Sequence, residues 1–351
     1  MFSLHRPAHS ALGFSLLLGS ALFLNGCGGG GSSGPSVPTA TPTPVPASNV
    51  LLDDEFNAGA LDTKRWSVVS SDSTTIYNIQ RTQLGNKPDF AQDADGTRFM
   101  RIKLDTYLPV HTVKGSDTLS FLGTELNSKL RFARGNGVSF ESRMRLSNAN
   151  TLGLVDAFFA YGEKGTFDGT PPLSLDEIDH EMLTNTLFTK PPTSWTNIYN
   201  DFVLPQAGNT TGDSYFDPIK TEGTFKPLVP GFDPTGWNTY RIDWKAGSVR
   251  WFINDTMTRE DTSVRVPDDA LGVRFNIWAP SGPPYGWTPA WSDSLKSAAS
   301  AAENQTFAFD VDWVHVRTLD GKAPATSALV APAPTTATRR GGAAMGGFRS
   351  N

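Results

Sequence analysis

Apolar residues in this chain recur mostly at every second position, in short runs broken by clusters of Gly, Pro, Asn and Asp. That is the period of a half-buried strand, and long stretches with the period of an amphipathic helix are missing. Met100–Leu104 (M-R-I-K-L) and Val138–Leu146 (V-S-F-E-S-R-M-R-L) alternate cleanly. Val155–Tyr161 is apolar on both faces, as a central strand must be. Tyr240–Trp244 and Val249–Ile253, joined by a Lys245-Ala246-Gly247 turn, form a hairpin, and Arg274–Trp278 and Phe307–Val316 follow. The pattern predicts an all-β sandwich of two antiparallel sheets. Residues 49–320 read as one domain of roughly 270 residues, an ordinary size for a large sandwich. The net charge of −5 with no basic stripe argues against a nucleic-acid partner. No repeat, phosphate-binding glycine loop or Cys/His metal spacing is present in the sequence.

Within this alternation Leu175–Leu183 (L-D-E-I-D-H-E-M-L) stands apart. As a strand it puts Glu177, Asp179 and Glu181 on one face and Ile178, His180 and Met182 on the other. Leu173, Leu175 and Leu183 share the parity of the acids, so the carboxylates interrupt an apolar face. A solvated acidic edge is the plainer reading, but the strict alternation with apolar neighbours argues against it. Hydrolysis of a glycoside needs one ionised carboxylate and one carboxylic acid that keeps its proton. A third carboxylate between them splits their pKa values, because close like charges do not all ionise together. Residues four apart on an extended strand have Cα atoms about 13 Å apart. Glutamates leaning inward on a curved sheet can close that to the roughly 5–5.5 Å of a retaining pair.

E-I-D-H-E resembles the E-x-D-x-E signature of glycoside hydrolase family 16, in the shorter, unbulged form seen in lichenases and xyloglucan-active members. The resemblance implies a concanavalin A-like β-sandwich (jelly roll). It assigns Glu177 as nucleophile, Glu181 as general acid/base and Asp179 as the carboxylate that tunes the pair. His180 departs from the aliphatic or aromatic residue usual there, and an inward histidine reads as a hydrogen-bonded core residue. Asp54-Glu55-Phe56-Asn57, with Leu61-Asp62 and Arg65-Trp66, is similar to the family's N-terminal strand, and Gly123–Phe132 to the strand before the acid-bearing hairpin. In lichenases that second strand carries a Glu and a following Arg that line sugar subsites. Glu125 matches the first, whereas Asn127 stands where the Arg would be. Asn276-Ile277-Trp278 resembles the N-x-W that lines the cleft near the scissile bond.

The chain holds nine tryptophans. Clefts that grip polysaccharides are paved with aromatics backed by polar groups. Trp244, Trp251 and Trp313 read as core, whereas Trp195, Trp278, Trp287 and Trp291 fall near loops or strand ends and are candidates for sugar subsites. Asn197 and Tyr199 alternate on the strand after the acids and are placed to hydrogen-bond a sugar. The family resemblance further implies a structural calcium ion, with Glu55 and Asp312 in comparable places. No other cofactor is expected.

Residues 1–26 read as a lipoprotein-type signal peptide, with His5 and Arg6 before an apolar run too short to span a membrane comfortably. Leu24-Asn25-Gly26-Cys27 resembles a bacterial lipobox, and Cys27, the sole cysteine, would be the lipidated residue. Plain secretion is the alternative. Residues 27–48 are a Gly/Ser/Pro/Thr-rich tether, and 321–351, with no pattern able to pack, read as a disordered tail. Gly28 after the cysteine lacks the Asp that marks inner-membrane retention, which favours the outer membrane or cell surface, with secreted or periplasmic placement otherwise. The expected protein is a monomeric, exported, retaining endo-β-glucanase, with mixed-linkage β-1,3-1,4-glucan as leading substrate and membrane contact through its lipid alone. A transglycosylase, or a hydrolase of another β-glucan or a galactan, is the alternative. A non-catalytic lectin-like module, of another class, has no use for three aligned acids.

Overall fold

Each alternating run becomes a strand with its apolar residues inward. In the computed structural model Arg98–Asp105 buries Phe99, Met100, Ile102 and Leu104 and turns Arg101 and Lys103 outward. The structure describes residues 49–70, 81–109, 113–114, 117–118, 120–146, 151–165, 174–187, 192–203, 224–280, 294–323 and 329–330. Two large sheets account for nearly all of the strands described, and the one α-helix among these residues is the single turn Thr184–Leu187.

The sheet that carries the acids has seven strands, in the spatial order Thr224–Pro227, Thr193–Val203, Ser174–Leu183, Val155–Lys164, Gly272–Trp278, Glu125–Ser128 and Trp66–Val68. The run read as apolar on both faces, Val155–Tyr161, lies in the middle strand, Val155–Lys164. The second sheet has ten, built around Asn238–Lys245, Val138–Arg145, Thr306–Thr318 and Arg98–Asp105. The expected hairpin forms between Asn238–Lys245 and Ser248–Ile253, with Gly247 at φ +73° closing its turn. Only glycine takes that left-handed conformation without strain.

The main core lies between the sheets. Phe158, Ile178, Ile198, Phe275 and Ile277 from one sheet meet Phe140, Ile242, Trp251, Val314 and Val316 from the other. Each such side chain contributes about 1.5–3 kcal/mol by leaving water. Polar links join the sheets as well: Arg259 donates from Nη1 to the Thr196 carbonyl (3.0 Å), and Trp251 donates from Nε1 to the Asp179 carbonyl (2.8 Å).

Three expectations are corrected. The first strand is Val50–Asp54, so Glu55–Asn57 follow it, with Phe56 at φ +45°. Trp313 is half-buried on the outer face, stacked on His315 at 4.1 Å; Trp244 and Trp251 are fully buried as expected. The pairing of Thr306–Thr318 slips between Arg143 and Met144, and that extra residue reverses which side Trp313 faces. Finally, the tail is not patternless throughout, because Leu329–Val330 pairs with Arg131–Phe132.

Candidate active site

The acids lie on Ser174–Leu183, flanked by Val155–Lys164 on one side and Thr193–Val203 on the other. Ile178 and Met182 anchor the strand in the main core, and Glu177, Asp179 and Glu181 take the opposite face. Pairing aligns them with neighbours in rows across the sheet. Glu177 lies between Tyr161 and Tyr199, Asp179 between Phe159 and Asn197, and Glu181 between Ala157 and Trp195. Leu175, Leu183, Phe202 and Trp278 complete a second apolar cluster around them.

All three acids are 0% exposed. No N–H or O–H donor among the described residues reaches their carboxylate oxygens. An unsolvated, unbonded carboxylate strongly favours its neutral form. Burial therefore raises Glu177 well above the usual carboxylate range, and the neighbouring charge of Asp179 raises it further. Burial pushes Asp179 up to about 8, and Glu181 rises through burial and then the charge of Asp179. Glu177 and Asp179 lie close enough for one to hydrogen-bond the other when it holds a proton. Such a group holds protons at neutral pH and releases them one at a time.

The expected subsite residues share this face. Asn276 and Glu125 continue the row of Glu181 and Ala157 across the next two strands. Glu125 is fully buried and accepts hydrogen bonds from Arg274 Nη1 (2.9 Å) and Asn276 Nδ2 (3.2 Å). Asn197, Tyr199, Trp195 and Trp278 are all within the buried layer beside the acids. Trp287, Trp291 and Cys27 lie outside the described residues.

Arg274 is the site residue that sequence reasoning missed. It faces Asn127 across the strand pair and lies next to Phe159 on the other side. The guanidinium absent at position 127 thus comes from the neighbouring strand. The signal was an arginine two residues before Asn276, on the same face of a strand already expected to line the cleft.

Beneath the acids the core holds an unexpected polar group. His180 is buried edge-on to Tyr240 at 5.3 Å, but neither ring nitrogen has a hydrogen-bond partner among the described residues, which corrects the expectation of a hydrogen-bonded histidine. Burial lowers its pKa to about 3 and keeps it neutral. Asp156, the one acid of Val155–Tyr161, is pushed up to about 8 by the same cause.

The side chains do not fit a calcium site built on Glu55 and Asp312. The Asp312 carboxylate is bonded by Arg143 Nη1, which already supplies its countercharge. Glu55 Oε1 instead lies 2.8 Å from His315 Nε2, which Asp53 Oδ1 approaches at the same distance. Asp312 is not part of this cluster, whose side chains are two carboxylates and an imidazole.

Residues 80–315 match the sequence model of Glycosyl hydrolases family 16, and the chain belongs to that family. It is similar to endo-1,3-1,4-beta-glycanase ExoK of Rhizobium meliloti (strain 1021), at 28% identity over 161 residues, 45% of this chain and 48% of the relative. The match therefore spans about half the length of that curated relative. The fold is similar to that of the Bacillus licheniformis beta-glucanase, with a TM-score of 0.50 and 19% identity over 76% of this chain and 97% of the other. It is also similar to a family 16 endo-glucanase from Bacteroides ovatus in complex with G4G3G-2F-DNP, with a TM-score of 0.51 and 17% identity over 76% and 100% of the two chains. Family membership supports glycosidase activity, and the likeness to the two solved structures is one of fold.

Proposed function

We propose that this chain is a retaining endo-β-glucanase that cleaves mixed-linkage β-1,3-1,4-glucan. The observation that carries the reading is the row of three buried carboxylates on one strand face, with no donor among the described residues to hold them all ionised. In the first step Glu177, as the carboxylate, attacks the anomeric carbon while the glycosidic C–O bond breaks. Glu181 gives its proton to the leaving oxygen. In the second step Glu181 takes a proton from water, the water oxygen bonds to the anomeric carbon, and Glu177 leaves as a carboxylate. Asp179 sits between them and opposes ionisation of Glu181, which keeps the acid protonated for the first step. The choice of substrate rests on the similarity to a relative named as an endo-1,3-1,4-beta-glycanase.

In a second reading, transglycosylation, a sugar hydroxyl takes the place of the water in the second step. Anchoring at the outer membrane or cell surface through an acylated Cys27 belongs to the same proposal.

Product analysis on a panel of soluble glucans and galactans tests it, with Glu177→Gln as the control. New reducing ends from mixed-linkage glucan are expected, and the variant should lose roughly three orders of magnitude or more in turnover while still binding polysaccharide. Chain-length redistribution without new reducing ends would establish the transglycosylase. Binding without any product would leave a lectin-like module, and near-wild-type turnover in the variant would remove Glu177 from its role.

A further inference from the structure

Three buried acids compete for the same few protons, and the proposed reaction requires that Glu177 be ionised while Glu181 keeps its proton. Its surroundings can be counted strand by strand. Its own strand contributes Asp179 and Glu181, both negative when ionised. Val155–Lys164 contributes Tyr161 directly opposite and Glu163 two residues on, and Thr193–Val203 contributes Tyr199. Gly272–Trp278 contributes Arg274, and Glu125–Ser128 contributes Glu125. Arg274 is the one cation in this set.

Its placement is fixed on three sides. Nη1 bonds Glu125 Oε1 at 2.9 Å, Cζ lies 3.7 Å from the Tyr161 ring centroid, and the side chain is only 4% exposed. Nε is buried with no hydrogen-bond partner among the described residues, a donor left over in the layer that also holds the unbonded oxygens of Glu177. A buried donor without a partner is costly to keep. The ion pair with Glu125 alone does not account for an arginine placed so that one N–H is left unmet. Tyr161, the ring under the guanidinium, is also the residue paired with Glu177.

We infer that Arg274 is a positioning residue that acts through Glu177: its guanidinium, held by Glu125 and Tyr161, favours the charged form of Glu177 and does not do so for Glu181. The inference rests on the reading of Glu177 as nucleophile. Its charge opposes the rise that burial, Asp179 and Glu181 impose on Glu177, and among the described residues no comparable cation acts on Asp179 or Glu181. The guanidinium therefore acts on one glutamate of the strand and not on the other.

The test compares Arg274→Lys, Arg274→Met, Glu125→Gln and the double variant Arg274→Met/Glu125→Gln. The acid limb of kcat/KM reports the ionised nucleophile. It should move to higher pH by about one unit or more in Arg274→Met, where an opposite charge has been lost. Arg274→Lys should restore the limb, and Glu125→Gln should not raise it. Arg274→Met leaves Glu125 buried without its partner and is expected to fold less stably, which is why the double variant is included. The double variant should recover stability while keeping the displaced limb; a wild-type limb in it would show that Arg274 only neutralises Glu125 and would overturn the inference. A titration of glutamate carboxyls by 13C NMR, with Glu177→Gln assigning the resonance, reads the same shift without substrate. If the wild type hydrolyses none of the polysaccharides, the proposed function fails, while this titration still decides whether Arg274 governs the proton on Glu177.

Discussion

His180 and Asp156 point into the core beneath the acids, and each pays for burial in a different range of pH. His180 is neutral in the fold with a pKa of about 3, against 6.5 for the free side chain. The unfolded chain takes up a proton that the native one refuses, so stability falls as pH drops from about 6.5 toward 3. Asp156 is protonated in the fold up to about pH 8, whereas the unfolded side chain ionises near 3.8. Here the native state holds a proton that the unfolded one releases, and stability falls as pH rises from about 4 to about 8, then levels. Each full swing has an upper limit on the order of 5 kcal/mol. Asp156→Asn should therefore flatten the alkaline side of the stability profile and His180→Phe the acid side, read as urea midpoints against pH. Variant and wild-type curves running parallel would show that these groups do not titrate with folding. Neither residue was legible as a stability switch in the sequence. Their parity was plain, but the absence of partners depends on what the opposite sheet presents, and there Tyr240 offers His180 a ring edge.

At the scale of the strand, alternation in L-D-E-I-D-H-E-M-L was enough to place all three acids on one face, because a strand has no other way to arrange them. The same logic placed Asn197, Tyr199, Asn276 and Trp278 on acid-facing positions. It failed where local pairing slips. Trp313 was misjudged across one such slip. A second lies at the start of the acid strand, where Leu175 pairs with Phe202 but Glu177 pairs with Tyr199, leaving Asp201 at φ +52° in a bulge. Asp176 stabilises that bulge: its Oδ1 accepts the Asp201 N–H (2.7 Å), and its Oδ2 accepts those of Asp268 (3.1 Å) and Asp269 (2.9 Å). Such partners, 25 to 93 residues away in the chain, leave no trace in local sequence. Asp176→Ala removes both acceptor oxygens, and with them all three hydrogen bonds, and should cost about 2–4 kcal/mol. Because Glu177 is the next residue, kcat/KM should fall as well, and Asp176→Asn should recover part of both losses. Denaturant unfolding and steady-state kinetics on the two variants make the check, and a loss under about 0.5 kcal/mol would show the bulge to be held by other means.

For the molecule as a whole, the two-sheet sandwich was legible from period and turn chemistry, and the family from the acid strand. The tail was legible only in part. Leu329–Val330 adds a small ladder to Arg131–Phe132, too short to announce itself by pattern. Ending the chain after residue 331 should leave the melting temperature unchanged, and ending it after 322 should lower stability by about 1 kcal/mol, the worth of one or two backbone hydrogen bonds. Equal melting curves for the two truncations would mean the pairing contributes nothing. The tryptophan that reaches across the sandwich has a wider consequence. Trp251 holds the backbone of Asp179 at its carbonyl, in the middle of the triad. A one-residue slip of that strand would turn every carboxylate into the core and present Ile178 and His180 in their place. The indole bond penalises such a slip from the opposite sheet, so assembly of the sandwich and alignment of its chemistry are a single event. A population of this chain should therefore contain working molecules and unfolded ones, with no well-folded but inert fraction between them.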